Sequence, residues 1–256
     1  MLVISRNTLK TFLLSALLLL PANPSVFAAV SVVQHKVNFS GSGASSISTT
    51  VTATGSGNLL IAGTISAHSH FPVISVSDGT NNFIKFPEAT GIDILNDAQA
   101  EIWYLPQSTS GKTLITLTIG STSTFIGLEV WEVSGFTNPV PDATGTVNDG
   151  VQTGGTATGS AVRTRSSKGF IVGMDITEQA VSSNPAAGNE FTSGGDIDAG
   201  GDAFCSLIST TAATHQPSWT DNGNTFTSIT AAFKEFDTSS STFGGSSTFR
   251  GNTTIK

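Results

Sequence analysis

The alternation of apolar and polar residues predicts strands along most of the chain, and the longest strand-like run covers residues 123–136. Side chains of an extended strand point alternately to its two faces. One face would carry Phe125, Gly127, Glu129, Trp131 and Val133, and the other would carry Ile126, Leu128, Val130 and Glu132. Because both sets are largely apolar, this run is predicted to be a buried central strand with a layer on each side.

About a dozen short strands separated by turn signals are predicted. Besides the central run they cover residues 31–38, 47–54, 59–66, 73–76, 83–86, 100–105, 113–119, 168–177, 203–210, 217–220 and 227–236. Residues 87–97, 144–160 and 181–201 are predicted to be mostly loop, and no internal repeat is visible. No segment after the N-terminus has helical periodicity. The pattern favours an all-β protein, a two-sheet antiparallel β-sandwich of the jelly-roll type.

The first 28 residues have the three parts of a secretory signal peptide. Arg6 and Lys10 precede an apolar core at residues 12–20, which Pro21 ends, and small residues lead to a cleavage site after Ala28. The core is shorter than the roughly 20 residues that a spanning helix needs. We therefore predict a secreted or cell-surface protein without a transmembrane segment after cleavage; the alternative is an uncleaved membrane anchor.

Composition and charge narrow the class of partner. Only 11% of the residues are charged, and the net charge of −7 becomes −9 when the signal peptide and its two basic residues are removed. Without a basic run, a nucleic-acid partner is not expected. Sixteen Phe and many β-branched residues can form a core, so the composition is typical of an extracellular all-β protein rather than a disordered chain.

The chain divides into one predicted domain and a tail. Residues 29–236 form the β-sandwich domain, and residues 237–256 are rich in Ser, Thr and Gly. Such a composition indicates a flexible tail or linker. Phe243 and Phe249 leave open that the tail adds an edge strand.

Several short motifs between residues 57 and 233 carry a resemblance to a known group. They are Gly57-Asn58-Leu59-Leu60, Val76-Ser77-Asp78, Ala100-Glu101-Ile102-Trp103-Tyr104, Glu132-Val133-Ser134-Gly135 before Asn138-Pro139, and Trp219 before Ala231-Ala232-Phe233. In these the chain resembles secreted bacterial β-sandwich domains that are similar to concanavalin-like jelly rolls. The resemblance implies an extracellular sandwich, often part of surface or adhesion proteins. It implies no functional residues.

Three carboxylates lie within aromatic strands, namely Glu101, Glu129 and Glu132. Concanavalin-like glycan hydrolases use two carboxylates on one strand face. Glu129 and Glu132 are three apart, so in a regular strand they face opposite sides, and only a β-bulge would align them. The E-x-D-x-E arrangement of those enzymes is missing, because Trp131 and Val133 stand at its second and third positions. The alternative is that Glu129 is hydrogen-bonded within the sandwich or solvated.

Tryptophan residues offer a second kind of binding feature. Trp103, Trp131 and Trp219 could form a platform on which sugars stack. In strands this apolar, the alternative is that they belong to the core. As candidate ligand-binding residues we take Trp103 and Trp131 together with Glu129 and Glu132.

Two histidines make a candidate metal pair. His68 and His70 follow the predicted strand at residues 59–66 with the i, i+2 spacing that places side chains on one face. His35, His215 or a carboxylate would have to supply a third ligand. The alternative is two exposed loop histidines.

An acidic, glycine-rich loop makes a candidate calcium site. Asp196, Asp198 and Asp202 lie in residues 194–202, and oxygen ligands on a flexible loop suit Ca²⁺. Asp142, Asp149 and Asp221 are less specific candidates. The alternative is a solvated acidic loop, so Ca²⁺ is the one cofactor that we consider.

The sequence gives no support for disulfide formation, serine-hydrolase activity, phosphate binding or redox chemistry. Cys205 is the only cysteine, which excludes an intramolecular disulfide, and its apolar neighbours indicate a buried thiol. The chain has no G-x-S-x-G elbow, no phosphate-binding glycine loop and no C-x-x-C motif.

The leading functional interpretation is a non-catalytic extracellular or cell-surface module for binding or adhesion. Its partner would be a glycan or a neighbouring surface protein. Two alternatives stay open. One is a carbohydrate-active hydrolase that uses Glu129 with Glu132 or Glu101. The other is a structural subunit of an extracellular layer or filament, in which the tail donates a strand to a neighbour.

Overall fold

The computed structural model describes residues 28–67, 71–93, 97–142, 146–151, 155–177, 181–196, 202–221 and 225–236. Within these ranges every regular element is a strand, and the sheets are antiparallel, so the all-β prediction is confirmed. None of the described segments is a helix long and apolar enough to cross a membrane. Residues 1–27 of the predicted signal peptide and the tail at residues 237–256 lie outside the described residues.

The N-terminal half of the described chain forms two sheets from eight strands. They are β1 (Ser31–Ser40), β2 (Ala44–Thr50), β3 (Leu59–Ala67), β4 (Val73–Ser77), β5 (Ile84–Asp93), β6 (Ala98–Leu105), β7 (Leu114–Ser123) and β8 (Phe125–Ser134). The large sheet, here called the N-sheet, has the order β1-β8-β3-β6-β5, and the small sheet has the order β2-β7-β4.

The C-terminal half forms the remaining strands. They are β9 (Pro139–Pro141), β10 (Thr146–Val151), β11 (Ala157–Thr158), β12 (Val162–Arg163), β13 (Gly169–Thr177), β14 (Val181–Ser183), β15 (Thr192–Asp196), β16 (Ala203–Ser209), β17 (Thr214–His215), β18 (Ser218–Asp221) and β19 (Thr225–Glu235). The large sheet, here called the C-sheet, has the order β10-β19-β13-β16-β15, with β9 also paired to β19. The small sheets are β11-β18-β14 and β12-β17.

The two halves share one topology. With β9 left aside, each large sheet has five strands, of which the first pairs with the fifth, the fifth with the second, the second with the fourth and the fourth with the third. The small sheets β2-β7-β4 and β11-β18-β14 also match, since their strands fall between the same members of the large sheets along the chain. The repeat is one of strand order, and for that reason inspection of the sequence showed none.

Three segments predicted as loops contain strands. Strand β5 continues to Asp93 because pairing with β6 resumes at Thr90 after a register shift that begins at Lys85. Glu88, with φ of 56°, lies within this irregular stretch. Likewise, β10, β14 and β15 form in segments with few apolar residues, where pairing with β19, β18 and β16 supplies the hydrogen bonds.

Three apolar clusters hold the sheets together. The inner cluster lies between the two large sheets and contains residues such as Ile61, Trp131, Phe170 and Phe233. A second cluster lies between the N-sheet and β2-β7-β4, and a third covers the other face of the C-sheet. Each large sheet is therefore buried on both faces.

Strand β8 shows this double burial most clearly. Trp131 and Val133 belong to the inner cluster, whereas Ile126, Leu128 and Val130 belong to the second. The strand pairs with β1 on one side and β3 on the other. The predicted central strand and its two apolar faces are confirmed.

The single thiol belongs to the third cluster. Cys205 is completely buried and free. Burial raises the pKa of this thiol well above its usual range, so it stays protonated and unreactive.

Candidate functional site

Glu132 links β8 to β1 and to the turn before β3. Its Oε2 accepts a hydrogen bond from Gln34 Nε2 at 2.5 Å, and its Oε1 accepts from the Gly55 backbone at 2.7 Å and from Asn58 Nδ2 at 2.6 Å. The side chain is buried. A carboxylate with three donors inside the protein is a structural link rather than a free acid or base.

Glu101 has a similar structural role on β6. It accepts hydrogen bonds from Lys85 Nζ at 2.9 Å, Gln99 Nε2 at 2.6 Å and Trp103 Nε1 at 2.8 Å. Trp103 is half-buried and packs against the second cluster. Its indole therefore serves this network and does not stand open as a sugar platform.

The three candidate carboxylates lie on different faces of the N-sheet. Strand alternation places Glu101 and Glu132 on the face toward the second cluster, and Glu129 on the face toward the C-sheet. No bulge realigns Glu129 and Glu132, because their pairing with β3 and with β1 is regular. The structure therefore does not bring together the pair of carboxylates that the hydrolase hypothesis required.

Glu129 forms a buried pair with His35. Its side chain is completely buried, and Oε1 contacts Nε2 of His35 on the neighbouring strand β1. The imidazole also packs on Trp131, with ring centroids 5.1 Å apart. Burial, helped by the positive charge of Lys36, lowers the pKa of His35 to about 4.

The imidazole of His35 is therefore neutral at pH 7. A neutral imidazole that donates its Nε2–H to Glu129 has Nδ1 left as an acceptor. No other described residue hydrogen-bonds to this ring. With Glu129 ionised and accepting from Nε2–H, the ring of His35 keeps Nδ1 as a hydrogen-bond acceptor.

A cleft of about 370 Å³ opens beside this pair, between the N-sheet and the C-sheet. His35 and Trp131 line one part of it. Val32 and Ile208 line it with aliphatic side chains, and Thr192, Ser193 and Ser206 also line it, as does Leu207, whose side chain packs against the third cluster. Its volume falls in the lower part of the range of small-ligand sites, which spans roughly 300–1,000 Å³.

The cleft occupies one of two seams at which the edges of the large sheets meet. At the closed seam, β5 packs on β10 and β19, and a Cβ added at Gly91 would stand only 2.4 Å from Thr227 Cγ2. At the open seam, β1 faces β15 and β16 across the cleft. One contact there is equally close, because a Cβ added at Gly194 would stand 2.6 Å from Glu129 Oε1.

The repeated topology allows the two seams to be compared residue by residue. When residues 59–66 of β3 are aligned with residues 170–177 of β13, the positions that face the inner cluster correspond in the two strands. The strand registers then match three further pairs: Tyr104 with Ser206, Phe233 with Val133, and Ile229 with Glu129.

This comparison explains why only one seam is open. Tyr104 and Phe233 fill the closed seam with their rings 5.4 Å apart, and Phe86 packs against both. The matched residues at the open seam, Ser206 and Val133, are much smaller, whereas Trp131, which the same registers match with Ala231, fills part of the open seam. Because Ile229 serves the same position of the fold, the fold does not require a carboxylate at Glu129.

Trp131 lines the cleft, and the other two tryptophans do not. Trp219 is completely buried in the third cluster, on the far face of the C-sheet. Trp131 is buried in the inner cluster. The three tryptophans therefore do not form a common platform.

The candidate metal ligands are only partly described. His68, His70 and Asp198 lie outside the described residues, and Asp196 and Asp202 flank the gap between β15 and β16. Of the described His, Cys, Asp and Glu side chains, no three stand close enough to hold a metal ion. The calcium loop remains a prediction.

The less specific aspartates are spread over the C-terminal half. Asp142 is buried, accepts from the Arg165 backbone at 2.6 Å and pairs with Lys234 at 3.3 Å. Asp149 lies on β10 and Asp221 on β18. The contacts of Asp142 indicate a structural role.

His215 lies between Glu190 and Ser209 at hydrogen-bond distances that resemble those of a catalytic triad. His215 Nδ1 lies 2.7 Å from Glu190 Oε1, and its Nε2 lies 3.1 Å from Ser209 Oγ. However, Ser209 and His215 are only 2% and 5% exposed, and the Ser209 hydroxyl also donates to the Thr211 carbonyl at 2.8 Å. A substrate cannot reach this hydroxyl. The hydrogen bond between Ser209 and His215 instead links β16 to β17.

Sequence reasoning missed most of the residues around the cleft. His35 was considered only as an additional metal ligand, and Ser193, Ser206 and Ile208 were not considered. His35 and Glu129 are 94 positions apart, and the cleft also draws on β15 and β16. No spacing signal in the sequence connects these segments. Neither a family model nor a curated protein matches this chain.

Proposed function

We propose that this chain is an exported, non-catalytic binding or adhesion module, and that its ligand occupies the cleft of the open seam. The observation that carries the proposal is the His35–Glu129 pair, a buried acceptor site beside a cleft, at a position where the matched seam has Ile229. Buried polar groups are costly unless they are paired. Their presence where the fold accepts Ile supports a functional role.

The strand order supports a jelly-roll interpretation of each half. A jelly roll has eight strands in two sheets, and the N-terminal half has a five-stranded large sheet with a three-stranded partner. The C-terminal half has the corresponding eight strands together with β9, β12 and β17. We propose that the protein is built of two such sandwiches packed through their large sheets. Loops and cleft edges of such frameworks are common places for ligand contacts.

The partner is proposed to be a glycan or a neighbouring surface protein. Aliphatic side chains and hydroxyl groups, as in this cleft, suit an uncharged ligand with both apolar and polar parts. Export is inferred from the predicted signal peptide. A role for Ca²⁺ would have to come from the loop that contains Asp198.

Catalysis is the less supported alternative. Glycoside hydrolysis needs two carboxyl groups on either side of the bond. Among the three candidates only Glu129 lies on the face of the N-sheet toward the C-sheet, where it is buried and does not line the cleft, and the other two are held by internal donors on the opposite face. We therefore propose binding without turnover.

The test is a glycan array, and a surface-protein pull-down, with the chain from residue 29 to 256, in Ca²⁺ and again in chelator. Ile208→Asp should abolish binding, because it places a charge on the aliphatic wall. Ile84→Asp is the matched control, since Ile84 is 51% exposed and Ile208 is 38% exposed. Equal binding by both variants would contradict a role for the cleft.

A further inference from the structure

We infer that the outer side of the C-terminal half carries a second binding surface, which takes an anionic polysaccharide through Arg163 and Arg165. This surface lies apart from the cleft, because β12 packs through Val162 on the third cluster, which covers the far face of the C-sheet. The inference therefore goes beyond the proposed function and does not depend on a ligand in the cleft.

Basic residues are concentrated in one short segment of an acidic chain. Of the eleven Lys and Arg residues, three lie within residues 163–168, in a chain whose net charge is −7. Ser and Thr separate them, so they form no basic run along the sequence. Lys234 joins them in the fold, because it stands opposite Gly169 where β13 pairs with β19. The fold thus gathers four basic residues at this end of the C-sheet.

The backbone that carries the two arginines is fixed by buried contacts. Val162 and Thr164 are each 1% exposed, and strand alternation turns Arg163 and Arg165 outward. The Thr164 amide donates to a backbone carbonyl at 2.8 Å, and the Arg165 amide donates to Asp142 Oδ2 at 2.6 Å. Both arginines therefore extend from fixed positions on one face, about 7 Å apart along the chain.

The two guanidinium groups have no counter-charge inside the described part of the protein. No hydrogen bond or ion pair among the described residues engages the side chain of Arg163 or Arg165. The charged neighbours are already paired with other side chains, namely Asp142 with Lys234, Glu235 with Lys168, and Glu190 with His215. The arginines are therefore the groups of this surface that an external anion can pair with.

The surroundings of the arginines favour a polysaccharide as the source of the anions. Within residues 161–168 and 209–214 no large apolar side chain is exposed. The exposed residues with hydroxyl groups are Ser167, Thr210, Thr211 and Thr214, the last being the strand partner of Arg163. A guanidinium binds carboxylates and similar oxyanions through two parallel hydrogen bonds. Two arginines side by side therefore suit a hydrophilic polymer that repeats its anionic groups.

The experiment measures binding of residues 29–256 to immobilised polygalacturonate, dextran sulfate, uncharged dextran and duplex DNA. We expect binding to one or both anionic polysaccharides at about 0.1 M salt and loss at about 1 M salt, because salt screens exposed charges. Polygalacturonate identifies carboxylates as the recognised anion, and dextran sulfate identifies sulfates. Absence of binding to both would overturn the inference. Tighter binding of DNA than of either would overturn the choice of a glycan.

Two double variants with the same change in net charge locate the binding surface. Arg163→Ser with Arg165→Ser should weaken polysaccharide binding about tenfold, because each exposed ion pair contributes modestly. Lys36→Ser with Lys112→Ser, in the N-terminal half, should change it less than about twofold. None of the four residues is buried, so both variants are expected to fold. Equal losses would show that net charge alone matters and would overturn the inference.

Failure of the inference is distinguishable from failure of the proposed function. Ile208→Asp alters the cleft and should leave polysaccharide binding at the arginines unchanged, because Ile208 faces the opposite side of the C-sheet from Val162. If polysaccharide binding is lost in Ile208→Asp and kept in the arginine variant, the inference is overturned and the cleft is supported. If it is lost only in the arginine variant, the inference holds whether or not the cleft binds a ligand.

Discussion

The two seams of this molecule are formed by corresponding strands, but the side chains that fill them differ. The closed seam is filled by Phe86, Tyr104 and Phe233, and β5 packs tightly against β19. The open seam has Ser206 where the closed one has Tyr104, and it has Glu129, paired with His35, where the closed one has Ile229. One topology thus supports either a stable core or a site, depending on a few side chains.

The side chains in a seam affect the stability of the protein as well as its function. A filled seam gains the free energy of apolar burial, about 25 cal/mol per Å². An open seam gives up part of this burial and also has to desolvate a carboxylate. We expect the closed seam to hold the two large sheets together more strongly than the open seam.

The largest difference in stability between variants of the two seams should come from truncating matched residues. Phe233→Ala at the closed seam should lower the free energy of unfolding by about 3–5 kcal/mol, because it removes a fully buried ring. Val133→Ala at the open seam removes only two methyl groups and should cost about 1–2 kcal/mol. Denaturant unfolding measures both, and equal losses would contradict the stronger role of the closed seam.

Acid should weaken the open seam through His35. Its pKa is about 6.5 in the unfolded chain and about 4 in the folded protein. Between these values the unfolded chain binds the proton and the folded protein does not, so stability present above pH 6.5 is lost as the pH falls to 4. The loss is at most about 3 kcal/mol.

Urea unfolding between about pH 7.5 and 4 measures this loss. Carboxylates also contribute to acid sensitivity, so the comparison is with His35→Phe, which keeps a ring and removes the titration. A variant that loses as much stability as the wild type over this range would show that His35 is not responsible.

We expect Gly91 to be necessary for the close packing of the closed seam. Gly91→Ala would place a methyl group against Thr227 and Ile229, which would have to shift, and should cost about 1–3 kcal/mol. Gly57→Ala, at a position with open space but φ of 77°, is a control for the backbone effect alone. A smaller cost at Gly91 than at Gly57 would mean that the seam is less tight than described.

Replacing the polar pair by apolar side chains should have the smallest and opposite effect on stability. The double variant His35→Val with Glu129→Ile replaces the pair by apolar side chains, the second of them as at Ile229 of the closed seam, and should raise the free energy of unfolding by about 1 kcal/mol. It should also abolish ligand binding. A marked destabilisation would show that the pair is structural and would count against the proposed site.

Local patterns in the sequence predicted a large part of the fold. The alternation in β8 identified a strand with two apolar faces, because side-chain direction in a strand depends only on position. The apolar runs that became β3 and β13 were also located, at residues 59–66 and 168–177. Strands such as β10 and β15 were not, since pairing with a neighbouring strand, rather than their own side chains, holds them in place.

The same distinction holds for the site. The sequence by itself determined that the chain is all-β, that Glu129 and Glu132 face opposite sides, and that Cys205 is surrounded by apolar residues. Only the tertiary structure decided that Glu129 pairs with His35, that Ser206 and Ile208 join them, and that the two halves repeat one topology. The physical reason is that these contacts form between strands far apart in the chain, where register and sheet packing, rather than local spacing, choose the neighbours.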